Sequence, residues 1–313
     1  MSVTNAGGLE RRTRCPGCHA EPSRTLVSEP YSGSVFIDYL ARQYGGRARS
    51  EVLQPARYEL VRCGSCGLAF QRYVPDERLL TEIYDNWIQP SEKERLLDSY
   101  CLTDFAYLAE QVQLLIRLLG MQPHAIRALD FGMGWSEWAS MARAFGCRVS
   151  GAELSTARIQ HARSLGFDIV PWEHIPDAQF HFINTEQVLE HLVEPRSTLE
   201  RLCRALRPGG IVKISVPDAR RALGKLSAGR RIQDLSSHEL MTVAPLEHIN
   251  AFDHASLVSM AAMAGLQILR PRIRAVYASG SGWFSPKQAL HLLARPVYRH
   301  WYPKSTFAYF LKS

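Results

Sequence analysis

Ala128-Leu-Asp-Phe-Gly-Met-Gly-Trp-Ser-Glu-Trp138 decides how the rest of the chain is read. An apolar run (Ile126, Ala128, Leu129) ends in Asp130, glycines alternate at Gly132 and Gly134, and a helix-like pattern follows from Ser136. The order is strand, tight turn, helix N-terminus. Glycine lacks a Cβ and tolerates positive φ, so backbone N–H groups in such a turn can approach a ligand closely. Alone, Gly132-x-Gly134 is a weak signal. The dinucleotide pattern G-x-G-x-x-G fails, because Glu137 stands at its third glycine.

Downstream, short apolar runs alternate with helical segments. Strands are expected at 126–131, 148–153, 168–170, 181–184, 211–216 and 266–269, and helices at 136–145, 155–165, 195–206 and 255–264. This alternation predicts an α/β fold, a parallel sheet covered on both faces by helices. Ligands of such sheets bind beyond the carboxyl ends of the strands, where the strand order reverses, and the glycine turn follows the first strand. The second strand ends at Glu153, 23 residues after Asp130, where an acid can accept both hydroxyls of a ribose. A plain helix-start acid is the alternative, and the glycine turn argues against it. Ser155 is placed to cap the next helix.

Upstream, residues 1–13 are polar and expected to fray. Cys15-Pro-Gly-Cys18 and Cys63-Gly-Ser-Cys66 follow, with 44 residues between them. Each pair lies in a glycine turn that lets two thiolates face one ion, and four thiolates make a closed, structural zinc site. Free thiols or a redox pair are the alternative. The gap exceeds the usual knuckle spacing, so 19–62 must hold an insert, with 31–44 supplying a strand or short helix. His19 reads as a neighbour of the site, since four cysteines complete the shell. Strands at 58–63 and 68–74 flank the second knuckle, a helix opens at Pro75-Asp-Glu, and a longer one is expected from Ser91 to Leu119. Phe105, Leu108, Val112, Leu115, Ile116 and Leu119 fall on one face of it.

The chain has 313 residues, 46% hydrophobic and 21% charged, with a formal charge of +7. No apolar run approaches the roughly 20 residues of a membrane span, and the first residues lack a signal-peptide core, so a cytoplasmic protein is expected. The basic balance, with pI about 9.1, fits an anionic partner or a plain basic protein. Seven cysteines, four of them in C-x-x-C pairs, favour metal over disulfides in such a compartment.

Asp130-Phe-Gly-x-Gly, Glu153, Val188-Leu-Glu-His-Leu-x-x-Pro195, Leu206-x-Pro-Gly-Gly-Ile-Val and Ser215-Val-Pro-Asp218 stand in one order across about 126–275. In that order they resemble class I S-adenosylmethionine-dependent methyltransferases. The knuckles with Tyr58-x-Leu-Val-Arg-Cys-x-x-Cys-Gly-Leu68 are similar to the N-terminal zinc ribbons of many bacterial members, some of them sugar C-methyltransferases. The resemblance implies a Rossmann-like, mixed but mostly parallel seven-stranded sheet, preceded by a zinc ribbon and a helical connector. It implies boundaries at 1–74 (ribbon), 75–122 (connector), 123–280 (methyltransferase domain, with 218–245 as an acceptor-side insertion) and 281–313 (basic aromatic segment). Asp130, Gly132, Gly134, Trp135, Glu153, Leu154 and Gln187 would contact S-adenosylmethionine. Cys15, Cys18, Cys63 and Cys66 would hold structural Zn²⁺. Two departures stand out: the family's third glycine is Ser136, and the acid that usually opens strand four is His181.

Methyl transfer needs alignment of the partners and, for some acceptors, removal of a proton. Catalytic candidates are His191, His248 and Glu190. The same three are what remains here of a divalent-ion set in some members, with Gln187 replacing its first acid. For either histidine, bracing a turn is the alternative. Arg220, Arg221, Lys225, Arg230 and Arg231 in the insertion suit phosphate clamping or a solvated loop. Tyr298, Trp301, Tyr302, Phe307, Tyr309 and Phe310 at the C-terminus suit packing over the domain, or contact with a membrane surface or glycolipid.

The resulting expectation is methyl transfer to carbon or oxygen of a small, anionic or sugar-linked acceptor. The alternatives are a zinc-ribbon RNA methyltransferase and a non-catalytic cofactor-binding module. Nucleic acid is disfavoured: strand four ends Asn184-Thr-Glu-Gln rather than Asn/Asp-Pro-Pro-Tyr, and the basic residues are scattered.

Overall fold

The computed structural model describes residues 4–5, 8–22, 24–48, 53, 56–88, 100–272 and 305–312. Along them run β1 (Thr4–Asn5), β2 (Leu9–Arg11), β3 (Arg24–Pro30), β4 (Arg57–Arg62), β5 (Ala69–Gln71), β6 (Tyr73–Pro75) and β7 (Arg127–Phe131). Then come β8 (Arg148–Ala152), β9 (Asp168–Ile169), β10 (Phe180–Glu186), β11 (Leu206–Pro217), β12 (Asn250–Ala251), β13 (Leu266–Leu269) and β14 (Ser305–Lys312). Two compact units result. One comprises Met1–Asp98, Glu190–Pro195 and Pro217–Met260, the other Ser99–Leu189, Arg196–Val216 and Ala261–Ser313.

The second unit carries a seven-stranded sheet in the order β13-β14-β11-β10-β7-β8-β9. Strands β11, β10, β7, β8 and β9 pair parallel with one another in that order, whereas β13 and β14 pair antiparallel. This is the mixed, mostly parallel Rossmann-like sheet expected. The strands bury both faces, as a helix-covered parallel sheet requires: Leu129, Ile183 and Val212 in register on one face, and Ala128, Phe182 and Ile211 on the other, are all at most 2% exposed. The order runs one way from β7 to β9 and the other way from β10 to β11, so the switch point lies between β7 and β10. Helix Leu102–Leu119 buries Leu108, Val112 and Leu115 on one stripe and ends at Gly120 in the left-handed conformation. Residues 91–99 of the expected helix lie outside the described residues. Phe105, expected on the buried face, is 48% exposed, because it lies in the first turn before the helix meets its core.

Strand β14 had no expected counterpart. It pairs Tyr309 with Leu269 and Phe310 with Ile268, and Phe310 is inaccessible. Phe310 and Tyr309 therefore serve the core rather than a membrane, while Tyr298, Trp301 and Tyr302 lie outside the described residues.

The first unit holds a sheet in the order β12-β5-β4-β3 and another in the order β1-β2-β6. The expected strand 68–74 is two strands: β5 pairs with β4 and β12, while β6 pairs with β2. Residues 9–11, expected to fray, form β2 with Leu9 in the core. The insert between the knuckles contains helix Ser34–Gln43, whose Phe36, Tyr39 and Leu40 are buried. Residues 218–245 form helices Arg220–Ser227 and Ser237–Met241. Ala222, Leu223, Leu226, Ile232 and Val243 share one core with Tyr31, Phe36 and Tyr58, residues between the two cysteine knuckles. Two of its cations are engaged locally, Lys225 with Glu239 at 2.7 Å and Arg220 with Asp218 at 3.8 Å. Among the described residues, no helix is long and apolar enough to cross a membrane.

Candidate active site

The glycine turn follows β7 at the switch point. Gly132 has φ +73°, and a Cβ there would lie 2.4 Å from Val188 Cγ2, so both conformation and space demand glycine. Its N–H donates to the Ala152 carbonyl at 2.8 Å, which ties the turn to β8. Gly134, φ +56°, donates its N–H to Glu153 Oε2 at 3.0 Å. Ser136 adopts φ +72° and is fully buried, a left-handed conformation that costs a serine about 1–2 kcal/mol of strain.

Glu153 accepts from the N–H groups of Gly134, Leu154 (2.9 Å) and Ser155 (3.0 Å), which takes three of about four acceptor positions of a carboxylate. It thus fixes the turn, and Arg158 Nη1 lies 3.8 Å from its Oε2. Ser155 makes no side-chain cap; its N–H is consumed by Glu153 instead. Leu154 is 68% exposed at the strand end, and Trp135 stands edge-on to His161, ring centroids 5.3 Å apart. Gln187, just past β10, is exposed with φ +55° and donates its N–H to the Ser215 carbonyl at 2.8 Å.

Beneath the turn runs a polar row that sequence reasoning missed. Asp130, Asn184 and Lys213 stand opposite one another on β7, β10 and β11, and none is more than 3% exposed. Asn184 Nδ2 donates to Asp130 Oδ1 at 2.8 Å; Lys213 Nζ donates to Glu186 Oε2 at 2.9 Å and to Gln111 Oε1. Burial pushes the Asp130 carboxyl up to about 7, with the Asn184 hydrogen bond opposing it. The carboxyl therefore holds its proton from about pH 4, its unfolded value, to about pH 7, so stability falls as pH rises across that window. Asp130→Asn is expected to flatten this slope in thermal midpoints taken between about pH 4.5 and 7.5; an unchanged slope would assign it to another group.

His181 lies at the opposite, amino end of β10. Its Nδ1 accepts the Arg127 N–H at 3.0 Å, and burial followed by Arg207 and Arg127 lowers its pKa. The missing acid there leaves the glycine turn untouched.

The described residues fit a cationic nucleoside. Trp135 Nε1, Ser136 Oγ, Asn184 Oδ1 and Thr185 Oγ1 are buried with no hydrogen-bond partner among the described residues, all at the carboxyl ends of β7 and β10 or in the turn. Glu137 opens the helix after the turn, and Glu153 and Glu186 place carboxylates at the ends of β8 and β10.

In the other unit, Cys15, Cys18, Cys63 and Cys66 bring their sulfurs within 4.8 Å of one another. Cys15 and Cys66 are 3.5 Å apart and Cys18 and Cys63 3.4 Å. Four sulfurs at about 2.3 Å from one ion would be about 3.8 Å apart, so the cage fits a tetrahedral divalent ion and is too open for disulfides. His19 is exposed and turned out by φ +60°, leaving four cysteines as the donor set.

The same unit assembles Glu190, His191 and His248, whose donor atoms also lie within 4.8 Å of one another. The histidine rings are edge-to-face with centroids 4.9 Å apart, and His191 Nε2 is 3.9 Å from Glu190 Oε1. His191 Nδ1 contacts the Glu247 carbonyl at 2.9 Å and His248 Nδ1 the Met241 carbonyl at 2.5 Å. A carbonyl can only accept, so each Nδ1 carries a proton, and in the neutral ring the lone pair is then on Nε2. Burial pushes the His248 pKa down, against Glu247 and the Met241 carbonyl, which favours the neutral ring.

A family model described as a methyltransferase domain matches residues 104–270, just over half of the chain, and the protein belongs to that family. It is an S-adenosylmethionine-dependent methyltransferase. Among solved structures it is similar to an S-adenosylmethionine dependent methyltransferase from Mesorhizobium loti, at 16% identity over 63% of this chain and 95% of that one, TM-score 0.42. It is also similar to 1,6-didemethyltoxoflavin-N1-methyltransferase of Burkholderia thailandensis, at 17% identity over 72% and 91%, TM-score 0.42. No curated protein matches the chain.

Proposed function

We propose that the protein methylates carbon or oxygen of a small cytoplasmic acceptor, a sugar, sugar-nucleotide or polysaccharide precursor, with His191 and His248 as proton acceptors. The observation that carries this reading is the pair of Nδ1-to-carbonyl bonds, which in the neutral rings puts the lone pair of each on Nε2, beside buried Glu190. S-adenosylmethionine supplies a methyl group on a positively charged sulfur. Gly132, Gly134 and Asp130 hold its methionine part, Glu153 binds the ribose, and Trp135, Leu154 and Gln187 pack against it. A histidine Nε2 takes the proton that the acceptor oxygen or carbon gives up. The net charge of +7 and the cations of 218–245 favour an anionic acceptor. Incubation with the methyl donor and a panel of nucleotide sugars, read by mass spectrometry, tests the substrate class: a product heavier by one methylene supports it, and methylation of RNA alone refutes it.

The four-cysteine cage holds zinc in this reading. Cys63→Ser is expected to release it and to unfold the first unit, because structural zinc supplies folding energy outright, on the order of 10 kcal/mol. Metal analysis with thermal unfolding checks this; a variant keeping one zinc per chain and wild-type stability contradicts it.

A further inference from the structure

The two histidines lie on segments far apart in sequence, and each is followed at once by a residue held by the same side chain. His191 precedes Leu192 and Val193; His248 precedes Ile249 and Asn250. Arg12 reaches both segments. Its Nη1 donates to Asn250 Oδ1 at 2.9 Å and to the Ile249 carbonyl at 3.3 Å. Its Nη2 donates to the Val193 carbonyl at 2.8 Å and to the Leu192 carbonyl at 3.2 Å. Asn250 Nδ2 closes the link by donating to the Leu192 carbonyl at 2.7 Å.

Arg12 is 8% exposed, and burial lowers its pKa only to about 10, so a full charge is buried here at neutral pH. A buried charge persists where hydrogen bonds meet it: both Nη atoms are bonded twice, while Nε has no hydrogen-bond partner among the described residues. The rigid fork of a guanidinium spans several acceptors at once, which an ammonium cannot do. Arg12 is itself anchored, three residues before Cys15, with its N–H donating to the Arg72 carbonyl at 2.7 Å.

We propose that Arg12 is a positioning residue: by gripping the residues after both histidines it sets the 4.9 Å approach of their rings and the carbonyl bonds that fix their tautomers. The proposal rests on the reading of this pair as proton acceptors. It gives the N-terminal cysteine module a role in shaping the basic pair, through an arginine in the same short segment as its first knuckle.

Long-range proton–nitrogen spectra of the labelled histidine rings in the zinc-loaded full chain test it without an acceptor. The two signals are assigned by their loss in His191→Asn and His248→Asn. In the wild type both rings are expected in a single Nδ1-protonated form. In Arg12→Ala and Arg12→Lys that pattern is expected to be lost at both positions, with cofactor binding retained. Wild-type tautomers at both histidines in a folded, zinc-loaded variant overturn the proposal, even where the thermal midpoint falls, since a merely structural arginine would lower stability alone. Should Arg12→Ala fail to fold, Arg12→Lys and Asn250→Ala decide by the same two outcomes. Turnover surviving in His191→Asn and His248→Asn would instead sink the reading of the pair, which keeps the two failures apart.

Discussion

His191→Asn and His248→Asn are each expected to lower kcat by about 10²–10⁴-fold, the range for loss of a positioned proton acceptor. Affinity for S-adenosylmethionine is expected to stay at the wild-type value, because its proposed contacts are all carried by the other unit. The direction of the His248 pKa adds a pH signature. Burial favours the neutral ring, so the acid limb of the rate profile is expected below the ordinary histidine range near 6.5. Steady-state kinetics beside calorimetry separate the effects. A variant with wild-type kcat would reduce the histidines to braces for the segments that carry Glu247 and Met241.

Gly132→Ala carries the second large effect. The left-handed φ costs an L-residue about 1–2 kcal/mol, and the added methyl meets Val188 Cγ2 at 2.4 Å, where overpacking adds about 1–3 kcal/mol. The turn must shift, and cofactor affinity is expected to fall by about tenfold to a thousandfold, at 1.4 kcal/mol per decade. The double variant Gly132→Ala with Val188→Ala removes the clash but not the φ penalty, so it is expected to recover part of the loss. Calorimetry decides: wild-type affinity in Gly132→Ala would remove the turn from the cofactor site.

The glycine turn, the strands around it and the cysteine knuckles were legible because local chemistry dictates them. Two close glycines force a turn, alternating apolar runs force a covered sheet, and paired cysteines in glycine turns force a cage. Strand β14 was hidden because Ser305–Lys312 carries apolar residues on both faces and lies 36 residues beyond its partner β13 in sequence. Its identity as a strand comes only from that distant pairing. Lys213 and Gln111 were hidden for a different reason: a lysine in an apolar strand and a glutamine in an apolar helix read as exceptions until they meet. Arg12 lay in a stretch whose polarity suggested fraying, and only the fold reveals four acceptors converging on it. The histidines were nameable from sequence, but their tautomers were not, since those depend on the carbonyls of Glu247 and Met241.

The pocket-side departures also changed meaning. Ser136, a departure from the family's third glycine, adopts φ +72°, a conformation that glycine takes more readily. Glu153, expected as a ribose acceptor, is also the anchor of the turn, accepting three backbone N–H groups with Arg158 3.8 Å away.

The measurement that tests the account most directly is a mass-spectrometric methylation screen of purified, zinc-loaded protein with S-adenosylmethionine and nucleotide sugars, run beside His191→Asn. The account predicts a methylated sugar product from the wild type and a yield at least about a hundredfold lower from the variant. Equal yields from both would contradict it, as would a wild type that binds the donor and methylates no sugar while methylating RNA.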